Sequence, residues 1–193
     1  MALLTYEALV ALRTQLIDGN GDMEGQSSVY TLSELAQGLR VTRGKLQQLV
    51  EQWTQEQLWT RPPHYKEAQP DEDRWSATEA ISHLIATQNW YLLHMSRLIG
   101  RREHFDVMVR GLGDLARQDI ARDDLIRELS AATERLVGFI EAIPSGADLS
   151  AQRSSTFFGD LSLRGWVLLA IYHDLDHLAQ IERISPGATG MTL

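Results

Sequence analysis

The chain has 193 residues, 44% of them hydrophobic and 23% charged, which is typical of one globular domain. Its formal net charge of −8 disfavours nucleic-acid binding, because phosphates would be repelled, and the lack of cysteine excludes disulfides and sulfur ligands. No apolar run approaches the roughly 20 residues of a membrane span, and the N-terminus lacks a signal-peptide pattern. We therefore expect a cytoplasmic protein without a membrane partner.

Helical periodicity dominates the sequence, whereas alternating strand patterns are weak. A short first helix is predicted from about Leu3 to Ile17, before the glycine-rich segment 18–22. A longer second helix is predicted from apolar residues spaced by three, four or seven, namely Leu32, Leu35, Leu39, Leu46, Leu49 and Trp53. The prolines at 62 and 63 are expected to stop it.

Three further helices follow. One begins at Ser76, where the spacing to Glu79 predicts a capping box, and extends to about Ile99. Another is predicted over 125–143 from its apolar stripe, and the last over about 162–185. Because the connections look short, we expect an all-α, antiparallel four-helix bundle over 29–187. Residues 1–28 form an N-terminal helix and loop extension in this prediction, and 188–193 a C-terminal tail.

The last predicted helix carries two histidines four residues apart, His173 and His177. Side chains at this spacing leave one helix face a single turn apart, so both rings can bind one ion. The same face carries Trp166, Leu169 and Ile184, which indicates that it points inward. The pair therefore predicts a metal site inside the bundle, although two histidines packed in the core would have the same spacing.

A third ligand is expected from another helix, and His83 is preferred. It lies early in its helix, at the level where an antiparallel partner would place His173 and His177. His94 competes for this role, but it lies about 16 Å further along the axis, so one ion cannot use both. The remaining candidates, His64 and His104, fall in polar segments expected to face solvent.

Three segments of the chain resemble a known family. They are WTQEQL at 53–58 with the following Arg61-Pro62, WSATEAISHL at 75–84, and HDLDHLAQI at 173–181. Together they resemble the DinB/YfiT-like superfamily of small bacterial metal-binding proteins. The resemblance implies a four-helix bundle and a metal site on His83, His173 and His177. Residues before 28 lie outside the shared pattern.

Several side chains near the three histidines are candidates for orienting a ligand ring or lining the pocket. On the last helix, two carboxylates flank the pair and an amide lies one turn further on. On the helix of His83, a carboxylate and an indole share its face, and the carboxylate is a candidate base as well as a cap. For the two flanking carboxylates the alternative is a solvated position, and for the amide a packed one. The five residues are Asp174, Asp176, Gln180, Glu79 and Trp90.

Three histidine ligands leave coordination positions open for water or substrate. We expect one divalent ion, zinc or nickel, with iron as a further candidate, because imidazole binds all of these. The resembled family includes thiol-dependent transferases and proteins proposed as hydrolases. The implied function is therefore metal-dependent transfer or hydrolysis on a small molecule, with a low-molecular-weight thiol as one candidate substrate. Pairing through an exposed helix face would give a homodimer.

Two other classes of function compete. A non-catalytic metal-binding protein, acting in stress or interaction, would need the same histidines. A DNA-binding regulator is suggested by segment 31–43, which superficially resembles a helix-turn-helix. Against DNA binding, Arg40 stands where such turns favour glycine, and the apolar ladder continues through the supposed turn.

Overall fold

The structure is a computed structural model that describes residues 4–18, 22–62, 74–101 and 119–184. Its helices are α1 (Tyr6–Ile17), α2 (Met23–Ser28), α3 (Leu32–Gln52), α4 (Gln55–Trp59), α5 (Ala77–Leu98), α6 (Arg122–Glu141) and α7 (Leu163–Arg183). Two short strands precede α7, β1 (Gln152–Ser155) and β2 (Gly159–Ser162). His64, His104 and the predicted tail 188–193 lie outside the described residues.

The four long helices form the predicted bundle. Helix α3 packs against α6 and α7, and α5 packs against the same two helices, so the four enclose one core. Leucine, isoleucine and tryptophan side chains from all four helices fill it, including Leu39, Ile81, Leu125 and Trp166. Burial of these stripes is the main force that holds the helices together. No helix in the described ranges is both long enough and apolar enough to cross a membrane.

Helix direction differs from the prediction in two of the four neighbouring pairs. Helices α5 and α7 are antiparallel, as expected, but α5 and α6 both start beside α4. The Thr78 hydroxyl of α5 donates to the Leu58 carbonyl, and the Arg122 amide of α6 donates to the Gln55 side chain. The end of α5 and the start of α6 therefore lie at opposite ends of the bundle, whereas the sequence analysis expected a short connection between antiparallel neighbours.

Helices α3 and α7 also run parallel. Gly38 lies against Ile171, and one turn later Arg43 contacts Asp174, so residue numbers rise together along both helices. This arrangement places the middle of α3 behind the segment of α7 that carries the two histidines. A polar contact from α3 can therefore reach the region of the predicted metal site.

Side-chain caps explain where several helices begin. Capping boxes form at Thr31 of α3, at Thr54 of α4 and at Ser76 of α5, the last with Glu79 as predicted. The short helix α4 was not predicted, although its Thr-Gln-Glu-Gln pattern is a capping signal. Helix α3 continues unbroken through 32–43, so the turn that a helix-turn-helix requires is not formed there.

The N-terminal helices and the strands support α7. Helices α1 and α2 pack on α7, and the Glu24 carboxylate of α2 accepts a hydrogen bond from the Ser162 amide at 2.8 Å. Strands β1 and β2 pair antiparallel, with Ser155 opposite Gly159, which has a φ of 67°. The sequence analysis missed this hairpin and α2 because their residues are mostly polar and lack an apolar period.

Candidate metal centre

Three imidazole rings meet between α5 and α7. The Nε2 atom of His173 lies 3.2 Å from Nε2 of His83 and 3.1 Å from Nε2 of His177. One ligand nitrogen from each ring lies within 4.8 Å of the others. His83 and His177 are buried, and His173 is partly exposed. The structure thus brings together the same three histidines that the sequence analysis selected, and it leaves His94 out of the group.

The three nitrogens fit the requirements of one metal ion. Two nitrogens bound to zinc at 2.0–2.1 Å with tetrahedral angles lie about 3.4 Å apart, which is close to both distances from His173 Nε2. Hydrogen bonds alone satisfy this arrangement poorly, because a ring nitrogen carries at most one hydrogen and His173 Nε2 faces two nitrogens. A single cation, in contrast, accepts a lone pair from each of the three rings.

Gln180 sets the tautomer of His177. The Nδ1 atom of His177 lies 2.7 Å from Oε1 of Gln180, and a carboxamide oxygen only accepts hydrogen bonds. Nδ1 must therefore carry the hydrogen, which leaves the lone pair of Nε2 free in the neutral ring. Ligand histidines in metal sites commonly make such a contact through their second nitrogen.

The environment of His173 keeps its ring neutral. Burial lowers the pKa of His173 well below the ordinary histidine value, and the neighbouring charges of His177, His83 and Arg43 lower it further. A protonated imidazole cannot bind a cation, since both of its nitrogens carry hydrogen. The site therefore offers a ready ligand nitrogen at neutral pH.

An aromatic wall closes one side of the centre. The Trp75 ring lies 4.7 Å from the His83 ring and stacks on His177 at 5.8 Å with an interplanar angle of 21°. On another side, the Tyr91 ring lies 6.0 Å from that of His173. The site prediction omitted both aromatics. Trp75 immediately precedes the Ser76 cap of the helix that carries His83. This position was the feature of the sequence that could have indicated a place for Trp75 near the site.

Asp174 is buried, and its described hydrogen bonds go to α3. Its Oδ2 atom accepts hydrogen bonds from the Thr42 hydroxyl and from Nε of Arg43, both at 2.8 Å. The Arg43 and Asp174 side chains are only 2% and 1% exposed, so this is an interior ion pair between α3 and α7. Its role is to fix the helix that carries His173, and sequence periodicity alone gave no sign of its partner.

Asp176 and Glu79 also bind arginines. Asp176 is exposed and accepts a hydrogen bond from Arg13 of α1 at 2.5 Å. Glu79 is buried, accepts from the Ser76 amide within the capping box, and pairs with Arg61. These contacts give both carboxylates structural roles.

Trp90 is partly exposed and lies two helical turns beyond His83. Its ring contacts are with Tyr91, His94 and Trp166 instead of the three metal-ligand candidates. Of the five neighbours proposed from sequence, Gln180 is therefore the one with a described hydrogen bond to a candidate ligand.

Comparison with known proteins agrees with this geometry. A family model described as the DinB superfamily matches residues 38–181, which include all three histidines. No curated protein and no solved structure matches the chain. The match begins after α1 and α2, so these two helices lie outside the shared region. Because it covers most of the sequence, the chain belongs to the DinB superfamily.

Proposed function

We propose that the protein binds one divalent metal ion on His83, His173 and His177 and uses it as an enzyme acting on a small molecule. The convergence of the three Nε2 atoms carries this proposal. Three neutral ligands leave the full charge of the ion uncompensated, and they leave coordination positions open. Both properties favour an anionic nucleophile at the open position.

When bound, the ion would lower the pKa of a coordinated water or thiol and so supply a nucleophile near neutral pH. The chain's own contribution is to hold the three rings in place, through the Gln180 contact and the buried Arg43–Asp174 pair. Trp75 shields one side of the site from water. The proposed reaction is therefore thiol transfer to an electrophile, with hydrolysis as the second reaction that the same site would support.

The first experiment is elemental analysis of the tag-free protein, purified and then incubated with zinc or nickel. We expect about one metal ion per chain, as for a mononuclear three-histidine site. His173→Ala should lose the ion, whereas His64→Ala, a histidine that the sequence places in a polar loop, should retain it. Equal metal contents in the two variants, or no metal in the wild type, would refute the site.

Activity is tested next on the metal-loaded protein. Glutathione, cysteine and coenzyme A are each supplied with 1-chloro-2,4-dinitrobenzene, and hydrolysis is followed with p-nitrophenyl acetate. Turnover that is lost in His173→Ala and retained in His64→Ala would support an enzyme and select the reaction. Bound metal without turnover of any of these substrates would favour the non-catalytic metal-binding alternative.

A further inference from the structure

A second cluster of rings lies between α5 and α7, beyond the metal centre. It consists of Trp90 and His94 on α5 and Trp166 on α7, and is called the aromatic cluster below. His94 stacks on Trp166 at 4.3 Å with an interplanar angle of 21°, and Trp90 lies 4.6 Å from His94 and 5.0 Å from Trp166. Trp166 is fully buried, whereas Trp90 and His94 are partly exposed. The cluster therefore reaches the protein surface.

The aromatic cluster is adjacent to the metal centre. Tyr91 bridges the two, with its ring 6.0 Å from that of His173 and 6.5 Å from that of Trp166. Trp90 and His94 lie on the same face of α5 as His83, about 10 Å and 16 Å further along the helix axis. The aromatic cluster and the metal centre are therefore neighbours along α5.

Three shielded nitrogen atoms at the cluster have no hydrogen-bond partner among the described residues. They are Nε1 of Trp166, Nδ1 of His94 and Nε of Arg153, the last on β1, which packs against α5. Shielded polar atoms without partners cost free energy, so native proteins rarely keep them without a reason. The indole and guanidinium N–H groups are donors, and the His94 Nδ1 atom is one when it carries the ring hydrogen, so a ligand with acceptor oxygens would provide partners for them.

The charged side chains that act on His94 are two arginines, Arg97 and Arg153. Within the described part of the chain, Arg153 makes no ion pair, and it is close enough to His94 to affect its protonation. Burial lowers the pKa of His94 to about 4, with further lowering by Arg153 and Arg97. His94 is therefore neutral at pH 7, and the two arginines supply positive charge beside it.

We propose that the aromatic cluster and Arg153 form a binding site for a small molecule that joins a flat unsaturated group to an oxyanion, a carboxylate or a phosphate. The flat group packs on the partly exposed rings of Trp90 and His94, and the oxyanion accepts hydrogen bonds from Arg153. This inference deepens the proposed function, since the other end of the same molecule reaches the metal centre. The substrate class is therefore an organic acid.

Binding is measured by ¹⁹F NMR on the full chain labelled with 5-fluorotryptophan, with signals assigned by single tryptophan-to-phenylalanine variants. Benzoate is the probe, benzamide its neutral counterpart, and phenyl phosphate tests the other oxyanion. We expect benzoate to shift the Trp90 and Trp166 signals saturably, without shifting that of Trp59. Because the guanidinium contact is charge-assisted, benzoate should bind about tenfold more tightly than benzamide. The Kd values of benzoate and phenyl phosphate are then compared. The probe with the lower Kd shows whether the site prefers a carboxylate or a phosphate.

Arg153→Gln and Arg164→Gln form the matched pair. Arg164 is also partly exposed with an unpartnered Nε, but it lies nine residues before His173, on the opposite face of α7. Arg153→Gln should abolish the preference for benzoate over benzamide, and Arg164→Gln should leave it unchanged. Wild-type dispersion of the ¹⁹F signals verifies that each variant is folded. Equal losses in both variants, or equal affinities for the two probes, would overturn the inference.

The titration is repeated on protein freed of metal by a chelator. Benzoate could bind a metal ion directly through its carboxylate. Such binding would require the metal, and the substitution Arg153→Gln would not change its affinity. That result would also overturn the inference. A preference for benzoate over benzamide that persists in the metal-free protein and disappears in Arg153→Gln would support it, even if the elemental analysis refuted the metal site. Metal binding with no response to benzoate would leave the proposed function intact and refute this site alone.

Discussion

Arg43 of α3 and Asp174 of α7 form an ion pair in the interior of the bundle, with Nε and Oδ2 at 2.8 Å. Asp174 follows His173 directly in the sequence, and its carboxylate accepts hydrogen bonds from Thr42 and Arg43 of α3. The pair therefore links the helix of the two histidines to a helix that contributes no ligand. Its two charges are almost completely removed from water, so each depends on the other.

Asp174→Ala should strongly destabilise the fold. The substitution leaves the Arg43 guanidinium buried without its counter-charge, which costs about 3–5 kcal/mol of unfolding free energy. Asp176→Ala is the matched control, because its carboxylate is half exposed in its pair with Arg13 and should contribute less than about 1 kcal/mol. Urea unfolding followed by circular dichroism measures both. Similar losses in the two variants would contradict the interior role of the Arg43–Asp174 pair.

Gln180→Leu should weaken metal binding without unfolding the protein. Removing the acceptor of His177 Nδ1 frees the ring to rotate and to change tautomer, and loss of such a contact typically lowers metal affinity about 10–100-fold. Competition with a chromophoric chelator gives the affinity. Gln52→Leu, at an exposed position of α3, should bind metal like the wild type. Unchanged affinity in Gln180→Leu would show that the hydrogen bond does not control the ligand ring.

Gly165→Ala should destabilise the protein although alanine favours helices. A Cβ at this position would lie 2.5 Å from the Glu24 carboxylate and 3.0 Å from Cβ of Leu161, so the contact between α2 and the start of α7 must shift. Gly138→Ala on α6 is the control, because its Cβ would meet nothing within 4 Å and should stabilise by up to about 1 kcal/mol. Thermal unfolding of the two variants should therefore move in opposite directions. A higher unfolding temperature in both variants would mean that α2 shifts to accommodate the new Cβ without loss of stability.

Because of His94, the free energy of unfolding should fall as the pH is lowered from about 6.5 to about 4. Burial holds the native pKa at about 4, so in this interval the unfolded chain binds a proton that the native protein does not. His94→Gln should therefore lose less unfolding free energy than the wild type between pH 7 and pH 5. Denaturant unfolding at both values gives the difference. An identical pH dependence would show that the native ring titrates normally.

Much of the fold follows from local patterns in the sequence. The apolar stripes of α3, α5, α6 and α7 predict four long helices, because helical spacing alone determines which side chains share a face. The Ser76–Glu79 spacing fixes the start of α5 for the same local reason. The four-residue spacing of His173 and His177 places two rings together before any tertiary contact is known.

Only the tertiary structure decided the relations between distant segments. The parallel course of α3 and α7, and with it the contact of Arg43 with Asp174, depends on how the four long helices pack against one another. The packing of Trp75 on His177, and of His94 on Trp166, likewise joins residues far apart in sequence. Local periodicity determines which face a side chain occupies. The partner that it meets is determined by helix order and direction, which result from packing the whole core.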